Sequence, residues 1–240
     1  MDDVDAGATL GPIAPGLAAA ALAIARRFAS GATMWCWAPD RPEHAQHVAV
    51  EFVHPVIVGK RALPAVAVTT PAGGGADPLR PLVASGDVVL IVGGGDDDAA
   101  VADVARRAPA WGAMTVWIGA GDRPPAGAAD HVLWLADDTG LAVHDGRLVL
   151  LYHLLWELTH VCFEHPGLLV GEEECEGEVC ITCSDEGRLA EVVDEGGAGA
   201  YVRTAAGVEE IDTTMVGEVH RGDLLLVHAG TAITLVEAAP

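Results

Sequence analysis

An imidazole and a carboxylate one helical turn apart raise the first question of chemistry in this chain. His47 and Glu51 stand at i and i+4, so a helix puts them on one face. There they can bind a divalent cation or move protons. A second run, His153, Glu157, His160 and Glu164, also keeps to one helical face. It reads either as part of a metal site or as a surface or dimer-facing stripe. Further on, Cys180 and Cys183 form a C-x-x-C pair, with Cys175 just upstream. A thiolate is a ligand for soft metals. One such pair without a second leaves a metal site, a redox pair and ordinary thiols all open. His228, closing an apolar run, is either a proton partner for such a thiol or a hydrogen-bonded residue at a strand end. Cys36 and Cys162 lie inside apolar segments and read as packing residues.

The elements that must hold these side chains fall into two textures. Helical spacing at Gly16–Phe28, Pro42–Val53, Asp98–Arg107 and Arg147–Glu164 alternates with apolar runs. Those runs are Thr33–Trp37, Ala62–Val68, Asp87–Val92, Met114–Ile118 and His131–Leu135. Near-continuous apolar strands between helices predict an α/β sandwich of about five parallel strands, covered on both faces. After His165-Pro166-Gly167 the helical period disappears. Short extended segments follow at Gly187–Val193, Ala200–Thr204, Val208–Asp212, Asp223–His228 and Ala232–Val236, separated by glycine-containing turns. That spacing predicts a small all-β, OB-like barrel, closed or nearly so. The organisation expected is a sheet domain over 1–168, an acidic linker over 169–179 and a barrel over 180–240. Gly93-Gly94-Gly95 ends a strand but lacks the G-x-G-x-x-G spacing of dinucleotide sites. Asp96–Asp98 after it reads as an acidic helix start favoured by the dipole.

Charge narrows the partners. The chain carries a formal net charge of −22, and residues 171–240 hold 16 acids against 3 bases. A field of that sign repels phosphate backbones and anionic lipid, so nucleic acid and membrane partners are not expected. The apolar runs are too short to span a bilayer. Met1–Asp5 has no basic leader, and the five cysteines are an odd set. A cytoplasmic protein with reduced thiols is the expectation.

Two resemblances add to this reading. Ile211-Asp212-Thr213-Thr214-Met215-Val216-Gly217 and Gly222-Asp223-Leu224-Leu225-Leu226-Val227-His228-Ala229-Gly230 resemble the body of the HypC/HupF hydrogenase-assembly chaperones. The resemblance covers about Cys180–Val236 and implies a carrier of an Fe(CN)2CO fragment for [NiFe]-hydrogenase. Its partners would be a HypD-type scaffold and the hydrogenase large-subunit precursor. Cys180, which stands at the family's cysteine position, would hold the iron, with His228 as its proton partner or a second contact; Cys183 is a second thiol that the family's opening lacks, and it would pair with Cys180 at a metal or redox site.

The earlier segment Glu43-His44-Ala45-Gln46-His47-Val48-Ala49-Val50-Glu51-Phe52 resembles the SIS (sugar isomerase) fold. It is most similar there to the phosphoheptose isomerases, whose final helix is matched by His153-Leu154-Leu155-Trp156-Glu157-Leu158. That resemblance implies self-association as a dimer or tetramer and a zinc ion held by His47, Glu51, Asp145 and His153. Glu51 and His153 would then be the acid/base pair of a sugar-phosphate isomerase acting on sedoheptulose 7-phosphate. The family's phosphate loops correspond to Trp37-Ala38-Pro39-Asp40-Arg41-Pro42 and Gly93–Asp98. Two prolines remove N–H donors from the first, and three carboxylates replace hydroxyls in the second. No phosphate-binding residues are therefore expected. A hydrogenase maturation factor with a degenerate SIS domain is the first reading, and a sugar-phosphate isomerase with an accessory barrel is the alternative.

Overall fold

The computed structural model describes residues 11–69, 76–94, 99–136, 146–170, 187–196 and 199–236. The strands of the first region are β1 (Met34–Trp37), β2 (Ala65–Val68), β3 (Val88–Val92), β4 (Met114–Ala120) and β5 (His131–Leu135). They form one parallel sheet in the order β2-β1-β3-β4-β5. The chain runs outward from β1 to β2, then back to β3 on the other side of β1. The β1/β3 boundary is therefore the switch point at which open α/β sheets leave a crevice beyond their strand ends.

Both faces of this sheet are covered, as the unbroken apolar strands require. On one face lie α1 (Ala14–Ala29), α2 (Pro42–Val53) and α4 (Arg147–Glu164). Helix α1 buries Leu17, Ala20, Ala21, Ile24, Ala25 and Phe28, a stripe at helical spacing. Helix α4 buries Leu148, Leu151, Tyr152, Leu155, Trp156, Thr159 and His160 in the same register. Together with Cys36, Leu90, Val116 and Ile118 of the strands they make one core. The other face carries α3 (Ala99–Arg107) and a 3-10 turn at Ala108–Trp111, packed on Val89, Ile91, Trp117 and Trp134. Cys36 and Cys162 are both buried, and burial pushes both thiols up from the usual range. They are packing residues.

The second region is a closed five-stranded barrel of β6 (Arg188–Glu195), β7 (Gly199–Thr204), β8 (Gly207–Asp212), β9 (Leu224–His228) and β10 (Thr231–Leu235). All contacts between neighbouring strands are antiparallel except β10 with β8, which closes the barrel in parallel. Its interior is filled by small and branched side chains, among them Ala190, Val192, Val202, Ile211, Leu225 and Val227. The β9–β10 turn has positive φ at both Ala229 (48°) and Gly230 (80°), the backbone of a tight primed hairpin turn.

The barrel sits on the second face of the sheet domain. Leu224 belongs to the same apolar core as Trp111 and Trp117, with Leu189 and Val236 packed against it. Glu191 of β6 alternates outward from the barrel interior, yet it is fully buried (0% exposed). Its carboxylate accepts from Arg80 Nε (2.9 Å) and Nη2 (2.8 Å), Arg107 Nη1 (2.9 Å) and Trp111 Nε1 (2.8 Å). Bonding to Glu191 raises the Arg80 guanidinium above its ordinary range. Arg203 reciprocates from β7, donating to the carbonyls of Arg80 and Val83 and lying over the Trp111 ring. Gly112 (φ 81°) makes the close approach possible, since a Cβ there would lie 2.5 Å from Ser85 Oγ and 3.0 Å from Ala205 Cα.

The acidic stretch expected as a linker lies mostly outside the described residues, as do Cys175, Cys180 and Cys183. Among the described residues, no helix is long and apolar enough to cross a membrane.

Candidate metal centre

Helix α2 leaves β1 and runs from Pro42, whose fixed φ suits a first helical turn. His44, Ala45, Val48, Ala49 and Phe52 are buried, which turns His47 and Glu51 toward the edge of the core rather than into it. Helix α4 begins after Gly146, in the left-handed region at φ 83°. It lies against α2 with Tyr152 inside and His153 at the rim.

The two helices bring three donor atoms together. His47 Nε2 lies 3.4 Å from Glu51 Oε1, His153 Nε2 lies 3.7 Å from the same oxygen, and the two imidazole nitrogens are 3.1 Å apart. Among the described residues this is the one group of three or more metal-ligating side chains within reach of a common ion. Metal–ligand bonds of about 2.0–2.2 Å at tetrahedral angles place ligand atoms about 3.3–3.6 Å apart. The three separations bracket that range. Two imidazoles and a carboxylate, with a coordination position left for a reactant, form a donor set used by catalytic zinc. The side chains are 39% (His47), 19% (Glu51) and 41% (His153) exposed, so the cluster is open to solvent on one side.

Behind the cluster lies a polar layer that spacing alone does not disclose. Tyr152 Oη is 3.0 Å from His47 Nδ1 and 3.4 Å from His44 Nδ1. Tyr152 and His44 are both buried. Burial, reinforced by Glu51 and Glu43, pushes the Tyr152 phenol up to about 12, and burial likewise lowers His44 below its usual value. The phenol is thus a neutral donor. His44 stands three residues before His47 on the same helical face, and Tyr152 adjoins His153. Those placements were the only sequence signals available for them.

The stripe on α4 divides. His153 joins the cation cluster. His160 is buried, 3.0 Å from the Trp156 carbonyl through Nδ1 and 3.1 Å from the Arg61 carbonyl through Nε2. Glu157 and Glu164 pair instead with Lys60, at 3.5 and 2.7 Å. So only His153 of the four joins the group of side chains that could hold a cation. Asp145, the fourth ligand by resemblance, and Asp96–Asp98 lie outside the described residues. His228 is half-buried at the end of β9, next to the turn.

On the first loop, Arg41 is the N-cap of α2 but its side chain makes no capping hydrogen bond, and Pro42 follows it. The helix start therefore has one fewer N–H to offer an anion.

The fold of the first region resembles known structures. A phosphoheptose isomerase from Francisella tularensis aligns with a TM-score of 0.55 at 16% identity, covering 64% of this chain and 90% of that one. Residues of the first region have the sugar isomerase fold. A phosphoheptose isomerase from Neisseria gonorrhoeae aligns with a TM-score of 0.50 at 14% identity, covering 63% and 89%. No family model matches the sequence, and no curated protein matches it. The similarity of the barrel to the HypC/HupF chaperones rests on its residues alone.

Proposed function

We propose that the sugar isomerase region is a divalent-cation-dependent aldose–ketose isomerase with a weak hold on phosphate. The observation that carries this is the spacing of His47 Nε2, Glu51 Oε1 and His153 Nε2, between 3.1 and 3.7 Å, on two packed helices. A zinc-type ion held there would polarise a sugar carbonyl. Aldose–ketose exchange moves one proton from C2 to C1 and one from the C2 hydroxyl to the C1 oxygen. In this reading Glu51 would take the carbon proton on the carboxylate oxygen not bound to the ion and return it. With the Nε2 lone pair of His153 committed to the ion, solvent on the open side of the cluster would carry the hydroxyl proton between the two sugar oxygens. Pro39 and Pro42 on the first loop supply no N–H for a phosphate, which supports a sugar held mainly by its carbonyl end.

Turnover of sedoheptulose 7-phosphate and of sedoheptulose, with zinc and with chelator, tests this. Zinc-dependent turnover that gains little in KM from the phosphate is expected. No turnover of either sugar with zinc present would overturn it.

A second reading is favoured by the closed barrel. Its five strands lie close to the extended segments that the turn spacing predicts, and Cys180 precedes β6 in sequence. In that reading the chain carries an Fe(CN)2CO fragment on the Cys180 thiolate, between a HypD-type scaffold and the hydrogenase large-subunit precursor. Cys183 and His228 assist it. Anaerobic co-purification with the scaffold should then give cyanide and carbon monoxide infrared bands. Bands at full strength in Cys180→Ala would remove that thiol from the mechanism.

A further inference from the structure

The buried layer behind the cation cluster has a definite hydrogen-bond logic. A neutral imidazole carries one N–H, so for His47 Nε2 to offer its lone pair to an ion the proton must sit on Nδ1. The partner of that nitrogen is Tyr152 Oη at 3.0 Å. A phenol has one hydrogen to donate. If its oxygen accepts from His47 Nδ1–H, its own O–H must point elsewhere, and His44 Nδ1 lies 3.4 Å away. His44 then accepts at Nδ1 and keeps its proton on Nε2. The three rings stand nearly edge to face, at 75° between His47 and Tyr152 and 72° between His44 and Tyr152. That packing limits the swing of each ring about the shared oxygen.

We propose that Tyr152 and His44 are positioning residues that fix the tautomer and orientation of His47, so that its Nε2 faces the cation site as an acceptor. The proposal rests on the reading of His47, Glu51 and His153 as a cation site. Neither positioning residue touches the ion or the sugar. Their effect passes through the His47 Nδ1–H bond, the role that carboxylates and carbonyls play behind other metal-bound histidines. The direction of the chain is fixed by the ends: His47 donates, Tyr152 relays, and His44 accepts.

The test uses the full chain with cobalt(II) chloride as the probe. The visible cobalt band reports binding, and nitrogen-15 spectra of histidine-labelled protein report the tautomer of His47 before any metal is added. In the wild type, His47 is expected as the Nδ1–H form, and cobalt binds. Tyr152→Phe should weaken cobalt binding by about 10- to 100-fold, the usual cost of losing such a partner, and should release His47 into a tautomer mixture. His44→Leu should act in the same direction. His44→Asn, which keeps an acceptor oxygen near the Nδ1 position, should restore most of the affinity. Tyr152→Phe with wild-type affinity and an unchanged Nδ1–H signal would overturn the relay while leaving the cation site standing. An Nε2–H form of His47 in the metal-free wild type would overturn it without any variant. A wild type that binds no cobalt would sink the cation reading itself, and this proposal with it.

Discussion

Glu51 and Glu191 are the same residue type on opposite faces of one sheet domain, and they have opposite fates. Glu191 is sealed, with each carboxylate oxygen accepting two hydrogen bonds from Arg80, Arg107 and Trp111. Nothing is left for a ligand, so it is a structural bolt between sheet domain and barrel. Glu51 faces two imidazoles at 3.4 and 3.7 Å and remains 19% exposed. Its neighbours are themselves ligand-type side chains, and the side toward solvent is open. A carboxylate whose donors are all committed holds a fold together, whereas one set among other acceptors is available to a cation.

The sharpest way to break the contrast is to remove each carboxylate. Glu51→Gln should lower cobalt or zinc affinity by more than about 100-fold, beyond the cost of losing a supporting partner. Its melting temperature should stay close to wild type, since the side chain is not a core anchor. Competition titration against a chelator reads the first and calorimetry the second. A Glu51→Gln protein that binds zinc normally would end the distinction.

Glu191→Gln should do the reverse. It removes the buried charge opposite Arg80 and Arg107, leaving them only Asp77 and Asp103, so the loss should approach but not exceed the roughly 3–5 kcal/mol of breaking a buried pair. Urea unfolding should show that loss with cation affinity unchanged. A smaller loss, about 1–3 kcal/mol, is expected for Gly112→Ala. There the left-handed backbone and the contacts with Ser85 and Ala205 both oppose a methyl group.

A titration that touches neither carboxylate sharpens the comparison further. Burial lowers His131 below its ordinary value, against a smaller opposing effect of Asp130. Below about pH 6.5 the unfolded chain takes up this proton first. Its stabilisation is therefore complete above that pH and lost as pH falls through the folded value. Urea midpoints should drop between pH 7.5 and the acid side, and His131→Gln should flatten that drop.

The smallest effect is expected at Lys60→Met. It breaks pairs with Glu157 and Glu164, whose side chains are 42% and 56% exposed. Solvent screens pairs of this kind, so the shift in the urea midpoint should be the smallest of the set.

Much of this molecule was legible in its residues. Apolar period alone placed Pro42–Val53, His131–Leu135 and Arg147–Glu164 at their observed bounds. The remaining strands shifted by a few residues at their ends, where hydrogen bonding rather than hydropathy sets the limit. His47 and Glu51 were legible because i and i+4 face the same way on any helix. His153 was attached to them only by resemblance, and the packing of α4 on α2 gives that attachment its geometry. The stripe His153, Glu157, His160 and Glu164 divides between the two readings left open for it, with His153 in the cluster and Glu157 and Glu164 at the surface. A common helical face does not say which neighbour each residue meets, and Lys60 and the Arg61 carbonyl claimed three of the four.

By itself, then, the sequence determined the periodicities: parallel strands between helices, a run of short strands after them, and one pair of ligand-type side chains on a shared face. Tertiary structure alone decided that Glu191, an outward residue of a barrel strand, is the most buried acid described, because a second domain covers it. It also decided that Tyr152 stands between His44 and His47. Local pattern fixes which way a side chain points along its own element. What it points at is set by elements far away in the chain, and burial and hydrogen bonding follow from that neighbour.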